Sequence, residues 1–197
     1  YESYKFFQQK IKDCDKEIEK LVNQEIKRDP EKGKLKTTDK PHKRINKNAP
    51  EIKDFNQVAF RFFGGIDFMA IEGLGHATVM TLMSEVGVEG FNKFPTGKHF
   101  TSWLRLAPNN KISGGKVLSH RIPKGSNRLK IALRQSANSI GNLKDTHLSD
   151  FFNRVAYRKG RQAAISATAR KLATIIWIMA TKKVPYTPPT EYLFLDQ

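Results

Sequence analysis

Over residues 3–27 the apolar side chains Tyr4, Phe7, Ile11, Cys14, Ile18 and Leu21 recur at spacings that alternate between three and four. That alternation is the a/d seam of a heptad repeat, and it predicts a helix with one narrow apolar stripe. Lys10, Lys12, Lys16, Glu17, Glu19 and Lys20 fill the positions between. So thin a stripe makes no core of its own and asks for a partner helix. Two partners satisfy it: a second copy of the chain, giving a dimeric coiled coil through residues 3–27, or a portion of the protein preceding this one.

The pattern then changes. Residues 28–50 hold Leu35, Ile45 and Ala49 as their only apolar positions besides Pro30, Pro41 and Pro50. Proline removes a backbone donor and blocks a regular helix, so this stretch is read as a flexible basic linker. From residue 51 to 184 the periodicity is helical again. A short helix is expected around Val58–Phe63, ending at Gly64-Gly65. Further helices are expected at Phe68–Glu72 and His76–Val86, at Lys98–Ala107, at Asn127–Ile140, at Leu148–Arg158 and at Arg161–Lys183. Pro108–Gly125 is Gly-rich and polar and reads as a loop, and residues 185–197 read as an irregular tail. Strand-type alternation is nearly absent. The expected fold is mainly α, an N-terminal coiled-coil helix followed by a compact helical domain.

Charge narrows the function. Of 197 residues, 35 are Lys or Arg and 19 are Asp or Glu, a net charge of +16. The excess is concentrated: residues 90–144 hold 11 basic residues and no acidic one, whereas residues 1–89 hold 16 basic and 15 acidic. A merely solvated face mixes signs, because unrelieved like charge destabilises the compact state. The acid-free stretch points to a polyanionic partner and cannot hold a metal with its own carboxylates. The lone cysteine, Cys14, excludes an internal disulfide and a Cys-based zinc site, which fits a reducing compartment. His42, His76, His99, His120 and His147 show no metal-ligand spacing, so no metal site is expected in the chain. No uninterrupted apolar run reaches the ~20 residues of a bilayer span, and no membrane partner is expected. No signal peptide opens the chain, and its start at Tyr1 reads as that of a fragment.

Three segments carry candidate chemistry. In Ile71-Glu72-Gly73-Leu74-Gly75-His76-Ala77 two glycines permit a tight turn into a helix, as in a helix-hairpin-helix. The free amides at such a helix start bind backbone phosphate without reading bases, which makes Gly73 and Gly75 candidate contacts; the same turn also serves as a plain connector. In Pro108–Lys116 a serine, Ser113, precedes Gly114-Gly115 between Lys111 and Lys116. Ser113 is either a turn residue or a nucleophile, and as a nucleophile it needs activation, with Lys111, Lys116, His120 and Arg121 able to stabilise the charge of a phosphorane. In Arg121–Arg134, Gly125 and Ser126 look like the approach and cap of a helix from which Arg128, Lys130 and Arg134 project; with Arg121 and Lys124 they suit phosphate contact, the alternative being a solvated helix. Arg154, Arg158, Lys159 and Arg161 form a fourth basic cluster, and Trp103 and Trp177 fall on apolar helix faces as core residues.

The order of these pieces is itself informative. Gly65-Ile66-Asp67, Ala70–Gly75, Ser84-Glu85-Val86-Gly87, Phe94–Leu104, Pro108–Lys116, Asn127–Arg134 and Ala163–Ala173 together resemble the C-terminal domain of the insertion-sequence 110/116/902 family of transposases, over about residues 60–182. The resemblance implies a DNA recombinase guided by a bridge RNA and acting in the prokaryotic cytoplasm at the nucleoid. It implies an N-terminal RuvC-like domain whose acids hold divalent metal, magnesium being the expected ion, and a C-terminal domain whose nucleophilic serine matches Ser113. A coiled coil between them supports dimers, and the active site is shared between subunits. On this reading the chain is the coiled coil plus the C-terminal domain, needs no cofactor of its own and is inactive without the RuvC-like domain. Arg105 stands where the family usually has glycine, and Gly97 where many members have an acid. Two other classes remain: a non-catalytic helix-hairpin-helix module binding DNA or structured RNA, and an assembly fragment acting through residues 3–27.

Overall fold

The computed structural model describes residues 1–36, 50–119, 122–125 and 127–188. The chain divides into two compact units, Tyr1–Asp67 and Phe68–Gln197. Among the described residues it is mainly helical, as the periodicity predicts.

The first unit is built on α1 (Glu2–Lys27), a single helix over nearly the whole heptad segment. Its a/d seam is not what holds it. Tyr4, Phe7, Ile11 and Leu21 are 53–63% exposed, whereas Asp15 and Ile26 on other positions are buried. Asp15 is tolerated inside because its carboxylate accepts the Glu51 amide at 2.9 Å, so a buried charge is hydrogen-bonded rather than orphaned. The next element corrects an expectation: Pro30–Lys34, within the stretch read as linker, forms a short helix, α2. Pro30 occupies its first turn, where the missing N–H is no loss, and Asp29 caps it by accepting from the Glu31 amide. The rest of that linker, residues 37–49, lies outside the described residues. α3 (Phe55–Phe62) packs on α1 and α2. Gln57 and Arg61 of α3 both donate to the Leu35 carbonyl, at 2.9 and 3.0 Å.

The second unit is organised around α8 (Arg161–Lys182), on which α5 (Gly97–Trp103), α6 (Arg128–Ile140) and α7 (His147–Lys159) all pack. At 22 residues α8 is long and apolar enough to cross a bilayer by length and composition. In this fold Ala164, Leu172, Ala173 and Ile176 are fully buried among neighbouring helices. Leu129, Leu133, Ala137 and Ile140 of α6 and Phe100 of α5 meet it with no exposed surface. Trp103 is 39% exposed and only edges the core, stacking on Phe100. Trp177 donates its indole N–H to the Phe94 carbonyl at 3.1 Å and lies against Gly97, so an acidic side chain at 97 would face that ring. α4 (His76–Glu85) packs on α6, and a buried Thr78–Ser136 hydroxyl pair at 3.0 Å joins them.

Several element ends differ from the sequence reading. The helix expected at Phe68–Glu72 is a three-residue 3-10 turn, Phe68–Ala70, so a helix-hairpin-helix with two full helices is not formed. α5 stops at Trp103, short of Ala107, because Arg105 turns left-handed (φ 54°) and the Leu106 amide closes back on the Thr101 carbonyl. α6 is capped by Asn127, whose side chain accepts from the Lys130 amide, in place of Ser126. The tail from Val184 to Pro188 is non-helical, as expected, and Tyr186 donates to the Glu72 carboxylate at 2.5 Å.

Gly73 has two reasons to be glycine. Its φ is +77°, and a Cβ there would lie 2.4 Å from the Ile140 Cγ1 and 3.0 Å from the Ser136 carbonyl. Gly75 has neither: φ is −120° and no atom stands within 4 Å of its Cβ position. Gly73→Ala should therefore lose about 2–4 kcal/mol, combining a left-handed backbone with overpacking. Gly75→Ala should lose less than about 1 kcal/mol. Urea unfolding of the two variants measures the contrast.

Candidate active site

The segment read as a loop around Ser113 is a β-hairpin. β1 (Lys111–Ser113) pairs antiparallel with β2 (Lys116–Ser119), with Ser113 opposite Lys116, Ile112 opposite Val117, and a bulge between Lys111 and Ile112. The two-residue connection is Gly114-Gly115, with φ of +54° and +74°. Positive φ at both positions is the type I′ geometry that matches strand twist, and glycine adopts it without strain. Ser113 is thus the last residue of a strand and not a point on a free loop. Side chains of directly opposed residues share one face with Cβ atoms about 5 Å apart, which puts the Lys116 ammonium stem beside the Ser113 hydroxyl. Both are exposed, and Ser113 has no side-chain hydrogen bond among the described residues. Ile112 and Leu118 of the hairpin are 63% and 68% exposed.

Beyond β2 the chain returns to α6. Arg121, His120 and Ser126 lie outside the described residues, as does the side chain of Lys111. Lys124 is held through its backbone, its carbonyl accepting from the Arg105 guanidinium. Lys130 reaches back to the Gly125 carbonyl at 3.3 Å. Burial first, then the charges of Arg134 and Arg105, hold the Lys130 ammonium below its ordinary value. These cations therefore repel one another, and an anion placed among them would relieve that repulsion. Arg134 does not project freely: it donates to the Ser166 hydroxyl at 2.6 Å and to Gln162 at 3.5 Å, both on α8. Those neutral partners fix its direction and leave its charge uncompensated. Arg128 stands apart, 86% exposed at its side chain, with the Glu85 carboxylate of α4 4.0 Å away. In the fourth cluster, Arg161 is structural, bonded to Asn138 and Asn142 of the α6 end.

The structure thus brings Arg105, Lys124, Lys130 and Arg134 into one region and pairs Ser113 with Lys116 on the hairpin. Gly73 and Gly75 lie elsewhere, at the start of α4 beside the end of α6. Arg105, Gln162 and Ser166 were not among the residues singled out for binding. Gln162 and Ser166 carry no sequence signal for the role, because their link to Arg134 spans about thirty residues and exists only once α6 rests on α8.

Comparison with known proteins follows the same segment. Residues 67–153 match the model of the transposase IS116/IS110/IS902 family. This segment of the chain is similar to that family. An uncharacterized 43.6 kDa protein of insertion element IS110 from Streptomyces coelicolor is 31% identical over 111 residues, which are 56% of this chain. They are 27% of that protein, so the chain spans about a quarter of the curated relative it matches. The matched segment contains the 3-10 turn, α4, α5, the serine hairpin, α6 and half of α7.

Within it, Arg105 resolves its own departure from the expected glycine. A left-handed arginine costs about 1 kcal/mol relative to glycine, offset here by the bond to the Lys124 carbonyl. The Arg105 guanidinium also fills the space over Gly125, where a Cβ would collide with it. Arg105→Gly should leave thermal stability within a few degrees, because strain relief and bond loss nearly cancel. It should release the 122–125 segment, read as faster trypsin cleavage after Lys124.

Proposed function

We propose that this chain is the coiled coil plus the C-terminal domain of a DNA transposase, and that Ser113 is its nucleophile. The observation that carries the reading is the placement of an exposed serine at the tip of a type I′ hairpin, opposite Lys116, inside the segment that matches a transposase family. The Ser113 Oγ attacks a DNA phosphorus and loses its proton; a P–O bond to one strand end breaks, and that end leaves with a hydrogen. The phosphoserine link keeps the bond energy, so a second strand end can later displace the serine without ATP. Lys116 offsets charge on the phosphorane. Lys111, Arg121, Lys124, Arg128, Lys130 and Arg134, with the first-turn amides of α4 after Gly73 and Gly75, hold the backbones of DNA and of a structured guide RNA.

The described residues bring no three His, Cys, Asp or Glu side chains within reach of a common metal ion. They do not fit the magnesium that the resemblance implies, which on this reading belongs to an acidic RuvC-like domain. The site of action on this reading is the prokaryotic nucleoid.

The test restores the N-terminal part and presents the protein with DNA carrying the element ends and its RNA. A covalent protein–DNA adduct mapping to Ser113 is expected, and Ser113→Ala should lower strand exchange by more than about a thousandfold while leaving nucleic-acid binding nearly intact. Exchange that survives the substitution removes the nucleophile and leaves a non-catalytic clamp.

The uncovered seam of α1 supports self-association through residues 3–27. Ile11 and Ile18 lie on that seam and are 53% and 36% exposed, so replacing them leaves the first unit's interior untouched. Ile11→Glu with Ile18→Glu should convert a dimer to a monomer in sedimentation equilibrium, with an unchanged helical circular-dichroism signal.

A further inference from the structure

Tyr157 is 94% exposed, more than any other large apolar side chain among the described residues, the terminal Tyr1 at 90% included. α7 buries Leu148, Ser149 and Phe152, and its last turn points Tyr157 away from that face. The ring gives the fold nothing, and tyrosine is a poorer helix former than the alanine or lysine that would serve at a solvated site. Its neighbours are cations: Arg154 three residues before it, Arg158 and Lys159 directly after it, all exposed. The Arg154 guanidinium is seated over the Phe151 ring, 5.9 Å from its centre, which restricts where it can reach. Arg158 and Lys159 have no ion pair among the described residues. The nearest acid before Tyr157 in the chain is Asp150, about 10 Å back along the helix. The turn is also anchored: Arg161 follows Gly160 and bonds the Asn138 and Asn142 side chains at 2.8 and 3.1 Å, fixing the end of α7 to the end of α6.

We propose that this last turn of α7 is a second nucleic-acid contact, in which Tyr157 stacks on an unpaired base while Arg154, Arg158 and Lys159 hold the phosphates beside it. A rigid π-face ringed by cations suits a single strand, whose bases are free to stack; duplex bases already stack on one another and offer the ring no face. Arg158 and Lys159 also favour the negative end of α7, which accounts for the two charges but not for the aromatic ring between them and Arg154. The proposal rests on the nucleic-acid reading of this domain and deepens it, naming an unpaired segment as what this corner holds.

The test uses the chain as it stands, with fluorescein-labelled 12-nucleotide oligothymidine and oligouridine, and a duplex of the same length, followed by anisotropy. Tyr157→Ala should weaken single-strand binding by roughly 5- to 150-fold, the ~1–3 kcal/mol of one base stack, with the salt slope unchanged and duplex binding unaffected. Tyr157→Phe should retain wild-type affinity, since the ring and not the hydroxyl is used. Exchanging Arg154, Arg158 and Lys159 together for Gln should instead lower the salt slope by about 2. The stronger of the thymidine and uridine arms identifies which strand the corner prefers. Single-strand affinity within twofold of wild type in Tyr157→Ala overturns the platform while leaving the nucleic-acid reading in place. Failure of the unaltered chain to bind any of the three probes overturns both, and neither result depends on the Ser113 adduct.

Discussion

The second unit depends on the face of α8 that small and apolar side chains present to three neighbouring helices. Ala164, Ala169 and Ala173 let neighbouring backbones approach closely, and Leu172, Ile176 and Met179 fill the space between them. Three helices lean on this one. α5 brings Arg105 to its C-terminal turn, α6 carries Lys130 and Arg134, and α7 ends in the cationic corner. The positions of the cations are therefore set by an apolar contact that none of them makes. The Arg134 bonds to Ser166 and Gln162 belong to the same seam, since they cross from α6 to α8 where the two helices already touch.

Electrostatics works against this arrangement in the free protein. Burial first, and after it the charges of Arg134 and Arg105, hold Lys130 below its ordinary value. The Glu85 carboxylate of α4 lies 4.0 Å from Arg128. Charge of one sign kept close together, with neutral hydrogen bonds steering it, costs the compact state self-repulsion.

Much of this was legible in the residues. The helical periodicity over 3–27, the three-and-four spacing of Leu129, Leu133, Ala137 and Ile140, and the family resemblance through Pro108–Lys116 correspond to what the structure and the comparisons show. The hairpin was not, because strands of three and four residues are too short for alternation to register, and Gly114-Gly115 reads equally as flexibility or as a type I′ turn. The left-handed Arg105 was not, because nothing local distinguishes it from a helical arginine; its reason is a carbonyl nineteen positions on. Asp15 reads as a polar position on a surface helix, and is buried only because the Glu51 amide arrives to satisfy it.

The hairpin's short connection has a consequence for how the serine tolerates change. Side chains on a strand alternate between faces, so parity matters more than distance. One residue added to or removed from Gly114-Gly115 would shift the register by one and place Ser113 on the face that now carries Ile112, away from Lys116. Two added residues could bulge outward and leave the pairing as it is. A serine that looks like part of a tolerant glycine turn thus keeps its lysine neighbour only while the loop preserves the pairing of the two strands.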